Sequence, residues 1–113
     1  MNKSTHNKQD HLDVMRKVGE NRNLTQRDLA DELGFSLGKL NYCLKELKAK
    51  GLIKMNNFKK SKDKIKYIYV LTPGGITAKT KLTINFMKRK MQEYDELKKE
   101  FKKSKKNVDS NKI

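Results

Sequence analysis

The feature that most constrains the fold is a pair of closely linked helices in the sequence TQRDLADELGFSLGKL, residues 25–40. Thr25 and Ser36 are favourable N-cap residues, because their hydroxyls can accept a free backbone N–H. Gly34 suits the left-handed conformation that ends many helices. The spacing predicts a helix over 25–33, a link of about three residues and a second helix. A link this short is typical of a helix-turn-helix.

The second helix carries two chemically different faces. Leucines recur at helical spacing and predict one buried face, at Leu37, Leu40, Leu44 and Leu47. In a helix-turn-helix, the other face of the second helix enters the major groove of DNA. Small, polar and basic residues on that face are therefore predicted to bind DNA. They are Ser36, Gly38, Lys39, Asn41, Tyr42 and Lys45. The alternative is an ordinary solvated face of a basic protein.

After Gly51 the pattern changes from helical to extended. Segments 52–58 and 65–72 are rich in β-branched and aromatic residues, and the charged sequence KKSKDK separates them. This predicts a two-stranded hairpin with a basic turn over 59–64. The turn lysines are predicted to contact the DNA backbone or minor groove, and they are Lys59, Lys60, Lys62 and Lys64. The alternative is a soluble turn. Gln26 and Arg27, which begin the first helix of the pair, are predicted phosphate contacts.

The order of elements predicts a mainly α fold with a small β-hairpin. A first helix over about 9–20 completes a winged helix-turn-helix, a DNA-binding domain over 9–72. A long C-terminal helix for dimerisation follows over 73–104. The polar residues 1–8 are predicted to be a disordered N-terminus, and 105–113 a basic disordered tail.

The long C-terminal helix carries an apolar seam at steps of three or four residues. The seam residues are Ile84, Met87, Met91, Tyr94, Leu97 and Phe101. The seam predicts a homodimer whose two DNA-binding helices recognise a pseudo-palindrome. The alternative is that the seam folds back on the first helix of the same chain.

The positive charge of the chain begins at the second helix of the pair. The 113 residues have a net charge of +15, but residues 1–35 carry six basic and six acidic side chains. Residues 36–66 carry ten basic and two acidic side chains. This increase in positive charge along the chain favours a polyanionic partner, with nucleic acid ahead of an anionic membrane surface. No apolar run approaches the length of a membrane span, and the N-terminus lacks an apolar signal core, so a cytoplasmic protein is expected.

The sequence gives no motif for catalysis, a metal or a cofactor. Cys43 is the single cysteine, which excludes an internal disulfide; it is interpreted as a small buried hydrophobe, with a thiol switch as the alternative. His6 and His11 lie in or near the predicted mobile N-terminus and have no clustered partners. The sequence PGG at 73–75 lacks the lysine and spacing of a phosphate loop. We expect a non-enzyme, and the sequence does not identify whether a small-molecule effector binds.

The sequence LTQRDLADELGFSLGKLNYCLKELKAKGLIK resembles the winged helix-turn-helix of the MarR family of bacterial regulators. Ala30 and Gly34 match its small-residue positions, and Leu40 and Cys43 match its buried ones. The pieces SLGK-NYCL, KGLIK, NF--S--K--Y-Y-LTP-GI and LT--F--RK--EY--L resemble the small MarR-type regulators associated with exopolysaccharide (EPS) gene clusters. This second resemblance covers roughly residues 10–100.

The resemblance implies a dimeric, sequence-specific regulator of transcription. It would bind double-stranded DNA, act in a repressor-like way and have surface polysaccharide genes as candidate targets. Two other classes of function are compatible with the residues. One is a winged helix used in replication or RNA binding, and the other is a protein-interaction module whose basic C-terminal helix binds another helix.

Overall fold

The structure is a computed structural model that describes residues 3–61 and 64–110. It forms two compact units, Met1–Leu82 and Thr83–Ile113. The elements in chain order are α1 (Lys3–Val18), α2 (Gln26–Leu33), α3 (Leu37–Ala49), β1 (Ile53–Ser61), β2 (Lys64–Leu71) and α4 (Pro73–Ser110). The predicted mainly helical fold with one small hairpin is therefore confirmed.

Local hydrogen bonds fix the start of α2 and α3 as the sequence predicts. The Thr25 hydroxyl accepts from the backbone N–H of Asp28 at 3.2 Å, and the Asp28 carboxylate accepts from the N–H of Thr25 at 3.0 Å. Gly34 ends α2 with a left-handed φ of 68°. The Ser36 hydroxyl then accepts from the N–H of Lys39 at 3.1 Å. Each such cap typically stabilises a helix by about 1 kcal/mol.

The core of the first unit joins α1, α2, α3 and the start of the hairpin. Met15, Leu29, Leu40 and Leu47 are fully buried, and Ile53 adds the first residue of β1. Burying one such side chain contributes about 1.5–3 kcal/mol relative to its exposed state. This core holds α3 by one face and leaves the opposite face free.

The two-stranded hairpin is confirmed, but its strands extend into residues 59–64, so the predicted turn was too long. The antiparallel register runs from Ile53 opposite Leu71 to Ser61 opposite Lys64, with an irregularity between Lys59 and Ser61. Pairing continues into the charged sequence because it satisfies backbone donors and acceptors, whatever the charge of the side chains. Lys59, Lys60 and Lys64 are consequently strand residues.

The start of α4 is tied to the segment that leaves α3. The Thr72 hydroxyl donates to the carbonyl of Gly51 at 2.6 Å and accepts from the N–H of Gly75 at 3.0 Å. The N–H of Thr72 donates to the carbonyl of Leu52 at 3.0 Å. A Cβ added to Gly75 would lie 1.9 Å from that same carbonyl oxygen, so this close approach requires glycine.

Both outer helices are longer than predicted. Residues 3–8, predicted to be disordered, form the first turns of α1, which ends at Val18 rather than near residue 20. α4 continues to Ser110, past the predicted end at 104. The sequence after Gly75 contains no glycine or proline and many lysines, which favour helix.

The first unit also extends past the predicted domain boundary at residue 72. It includes the start of α4 as far as Leu82, which packs against the core while half-buried. In the part of the chain that the structure describes, no helix is long and apolar enough to cross a membrane.

Candidate nucleic-acid interface

The inward face of α3 consists of Leu40, Cys43, Leu44 and Leu47, all buried. Leu37, predicted to belong to this face, is instead 50% exposed. At about 100° per residue, Leu37 lies roughly 70° from the centre of the buried face, so it falls at the edge. Burial raises the pKa of the Cys43 thiol, which keeps it protonated at neutral pH and agrees with a packing role.

The centre of the outward face of α3 is formed by Gly38, Tyr42 and Lys45. Tyr42 is 56% exposed, and Lys45 is exposed as well. No atom lies within 4 Å of where a Cβ on Gly38 would be, so another molecule can approach the backbone there. Asn41 is exposed at one side of this centre. The structure therefore brings four of the predicted groups onto one accessible surface.

Lys48 belongs to the same surface, although the sequence analysis did not select it. It is exposed and follows Lys45 by three positions, so the two side chains are neighbours on the helix. Among the described residues, no carboxylate forms an ion pair with Lys45 or Lys48. The helical spacing was the signal that could have identified Lys48.

Lys39 lies at the edge of this surface and already has partners. Its ammonium is 3.4 Å from a carboxylate oxygen of Asp10 in α1, and it lies 4.1 Å from the centre of the Phe35 ring. The Lys39 side chain is 47% exposed, and ion pairs of this kind contribute little net stability. Lys39 can therefore exchange Asp10 for a phosphate. Ser36 uses its hydroxyl as an acceptor in the N-cap and stays exposed.

Tyr42 is connected to α1 through Glu46. Glu46 follows Tyr42 by four positions, and the interaction with its carboxylate raises the pKa of the Tyr42 phenol. Oε2 of Glu46 lies 3.8 Å from Nε2 of His11. His11 is buried between the helices, with only 7% exposed, and not part of a mobile terminus as expected. Burial lowers the pKa of His11, and the negative charge of Glu46 opposes this shift.

The start of α2 lies close to the hairpin. Gln26 is half-buried and Arg27 is exposed. The ammonium of Lys66 in β2 lies 3.9 Å from a carboxylate oxygen of Asp28, so one strand of the hairpin contacts the N-terminal turn of α2. The structure describes only the backbone of Lys59, Lys60 and Lys64, and Lys62 lies outside the described residues.

Two basic side chains near the end of α1, Lys17 and Arg22, are paired with acids. Arg22 contacts the carboxylates of Glu32 and Glu20, and Lys17 lies 3.3 Å from Glu32. The hydrogen bond between Arg22 and Glu32 raises the pKa of the arginine and lowers the pKa of the carboxyl. This charge-balanced group contrasts with Lys45 and Lys48 of α3, which are exposed.

The predicted seam of the second unit is exposed. Its six residues, Ile84, Met87, Met91, Tyr94, Leu97 and Phe101, are 46–67% exposed. No group of three or more potential metal ligands occurs within the ranges 3–61 and 64–110.

A three-helix core, a short link between α2 and α3 and a hairpin beside them define a winged helix-turn-helix. A sequence comparison agrees, because the family profile described as "Winged helix-turn-helix DNA-binding" matches residues 11–54, from α1 to the start of β1. No protein of curated function matches the sequence.

Solved structures extend this likeness beyond the matched segment. The Staphylococcus aureus MepR–DNA complex aligns with a TM-score of 0.68 at 20% identity, covering 89% of this chain and 74% of that one. PcaV of Streptomyces coelicolor, in complex with its natural ligand, aligns with a TM-score of 0.64 at 17% identity. The alignment covers 88% of this chain and 73% of PcaV. FabT of Streptococcus pneumoniae, in complex with DNA, aligns with a TM-score of 0.59 at 19% identity. The alignment covers 89% of this chain and 72% of FabT. The chain therefore has the fold of MarR-type regulators.

Proposed function

We propose that this chain is a transcriptional regulator that binds duplex DNA through the exposed face of α3. The observation that carries the proposal is the division of α3 into a fully packed face and an open one. The open face offers a backbone approach at Gly38, an aromatic hydroxyl at Tyr42 and an exposed cation at Lys45. Such groups can contact phosphates and base edges in the major groove.

The hairpin adds affinity for the backbone of the same duplex. Its lysines, Lys59, Lys60, Lys62 and Lys64, would contact phosphate beside the groove that α3 enters. Gln26 and Arg27 would contact phosphate from the N-terminus of α2, where free backbone N–H groups favour an anion. Contacts of this kind give salt-dependent binding with little sequence information.

The regulator would act as a homodimer through the seam of α4. Seven large apolar side chains between Ile84 and Val108 are 46–67% exposed, which is unfavourable in water. A second copy would cover them and place two α3 helices about one DNA turn apart, as a pseudo-palindromic operator requires. The resemblance to EPS-associated regulators supports surface polysaccharide genes as targets.

The proposal is tested by selecting duplexes from a random pool with the purified protein at two salt concentrations. We expect an enriched inverted repeat that survives the higher salt. Changing Lys45 and Lys48 together to Gln should weaken binding to all duplexes and reduce the salt slope by about two. Asp31→Asn in α2 is a control on the same unit that should leave the selected sequence unchanged.

Two outcomes would contradict DNA recognition, and a third would contradict only the homodimer. Enrichment of no sequence, with affinity that collapses as salt rises, would show that the positive charge only holds phosphate. Preference for RNA of the same length would favour a role in RNA binding. An enriched sequence without two-fold symmetry would retain DNA recognition and remove the homodimer.

A further inference from the structure

The seam of α4 follows a heptad repeat, which gives a helix two core positions in each heptad. Ile84 and Met91 occupy the first core position, and Met87 and Tyr94 occupy the second. These four side chains are 46–64% exposed, and α4 is continuous through them. Two copies of α4 can therefore be aligned with core positions against core positions, and the side chains at each contact can be compared.

Lysines interrupt the apolar repeat towards the end of α4. Lys98 and Lys105 occupy the first core position of the next two heptads, whereas Phe101 keeps the second core position apolar. In a parallel pair of helices, each residue faces the same residue of the other copy. Lys98 would then lie opposite Lys98, and Lys105 opposite Lys105, and these like charges repel. A lysine at a core position therefore acts against the parallel direction.

An antiparallel pair avoids this contact between lysines. The first core position of one helix then packs against the second core position of the other. Aligning Ile84 with Phe101 of the second copy also aligns Met91 with Tyr94. Lys98 faces an apolar residue in this alignment, so its aliphatic stem can pack there while the ammonium reaches water.

The charges beside the core positions select the same alignment. Lys88 and Asp95 each follow a second core position by one residue, and both are exposed. In the antiparallel pair described above, Lys88 of each copy lies beside Asp95 of the other, so the attraction occurs twice. A shift of one heptad would place Asp95 against Asp95 in one direction, or Lys88 against Lys88 in the other. Residues that flank a coiled-coil core commonly set orientation in this way.

The parallel direction has a weaker alternative to this attraction. It would bring Lys90 near Asp95 of the second copy, but the Lys90 ammonium already lies 3.3 Å from a carboxylate oxygen of Glu93 in its own helix. The parallel pair would also keep the repulsion between the core lysines. Charge complementarity therefore favours the antiparallel direction.

We propose that α4 binds a second copy of this chain in the antiparallel direction, with Ile84 opposite Phe101 and a two-fold axis between Gln92 and Glu93. This inference rests on the proposed homodimer and adds its direction and register. The two Ile84 residues then lie about 26 Å apart along the helix axis. In a parallel pair they would be only about 8–10 Å apart. Because each chain continues from Ile84 into its first unit, the antiparallel direction suits two half-sites about 34–36 Å apart.

The first test cross-links two variants, Ile84→Cys and Phe101→Cys, with a short thiol-to-thiol reagent. The variants are purified separately, mixed and left to exchange subunits. We expect a cross-linked heterodimer in the mixture and no cross-linked dimer of either variant alone, since identical positions would be about 26 Å apart. Intact mass spectrometry distinguishes the products. The wild-type protein, whose Cys43 is buried, is the control and should give no cross-link.

The second test reverses the flanking charges. Lys88→Glu and Asp95→Lys should each raise the dimer dissociation constant about tenfold at low salt, because each turns two attractions into repulsions. The double variant should restore the wild-type value, since the exchanged charges attract again across the same pair. Arg89→Glu makes the charge change of Lys88→Glu one position further on, away from the seam, and should keep the dimer. Circular dichroism shows whether each variant is folded.

The outcomes separate this inference from the proposed homodimer. If light scattering finds the wild-type protein monomeric at every concentration, the homodimer fails and this inference fails with it. If the protein is dimeric but each cysteine variant cross-links to itself, only the antiparallel direction fails. A dimer without any cross-link in the mixture would place the interface outside the seam. A double charge variant as weak as the single ones would overturn the register.

Discussion

The two units of this chain place the same kinds of apolar side chain in opposite environments. In the first unit, Met15, Leu29 and Leu47 are completely buried. In the second unit, Met91 and Leu97 are 63% and 62% exposed. The first unit therefore has a core of its own, in which three helices and the start of the hairpin bury apolar side chains.

The second unit is a helical segment whose apolar residues lie along a seam. A single helix cannot bury a seam against itself, so the free energy available from these side chains is realised only in a complex. The comparison teaches that stability and assembly are separable in this chain. Substitutions in the first unit should act on folding at any protein concentration, and substitutions in the seam should act on association.

The largest effect is expected for Leu47→Ala in the core. Removing a fully buried leucine side chain costs its transfer free energy and leaves a cavity, so the free energy of unfolding should fall by about 2–5 kcal/mol. Urea denaturation followed by circular dichroism measures this loss. Leu97→Ala is the matched control, and its effect should depend on protein concentration. A similar loss at Leu97 that is independent of concentration would contradict the separation of the two units.

Met91→Glu should dissociate the proposed dimer. A carboxylate buried in an apolar interface costs several kcal/mol, so the dimer dissociation constant should rise about 100-fold. Light scattering measures the mass, and circular dichroism should show an unchanged fold of the first unit. Gln92→Glu introduces the same carboxylate at a neighbouring exposed position outside the seam and should keep the dimer. An unaltered mass for Met91→Glu would place the interface elsewhere.

The features that the sequence predicts best depend on neighbouring residues. Thr25 and Asp28 form the capping box within four positions, and Ser36 caps α3 through Lys39. Because these hydrogen bonds are local, residue type and spacing are sufficient to predict them. The same holds for the packed face of α3, except that Leu37 at its edge required three-dimensional information.

Contacts between distant segments could not be predicted in this way. Lys39 pairs with Asp10, and Glu46 lies beside the buried His11, because α1 packs on α3. No periodicity in one helix indicates which polar residue of another helix it will meet. The length of the hairpin turn was mispredicted for a related reason. Backbone pairing continues into charged residues when the register allows it.

Gly75→Ala tests the junction that connects the hairpin to α4. An added Cβ would lie 1.9 Å from the carbonyl oxygen of Leu52, so α4 would have to move away from that backbone. We expect a loss of about 1–3 kcal/mol in the free energy of unfolding, as for other overpacked sites. Thermal and urea unfolding measure it, and the loss should not depend on protein concentration.

Gly38→Ala is the control for this substitution. Nothing lies within 4 Å of the added methyl, and alanine favours helix, so stability should rise by about 0.5–1 kcal/mol. Its affinity for DNA should nevertheless fall, because the methyl occupies the open approach to α3. Equal stability effects at the two glycines would show that the junction is not tightly packed.

The smallest effect concerns the pH dependence of folding, and it belongs to the first unit, since the second contains no histidine. Burial holds the pKa of folded His11 below 6.5. As the pH falls from 6.5 towards that lowered pKa, the unfolded chain takes up a proton that the folded chain does not, so stability decreases. Urea denaturation at several pH values should show a smaller acid-induced loss in His11→Gln than in the wild-type protein. A variant that loses as much stability as the wild type would mean that other groups set the pH dependence, and that α1 and α3 pack equally well around a charged imidazole.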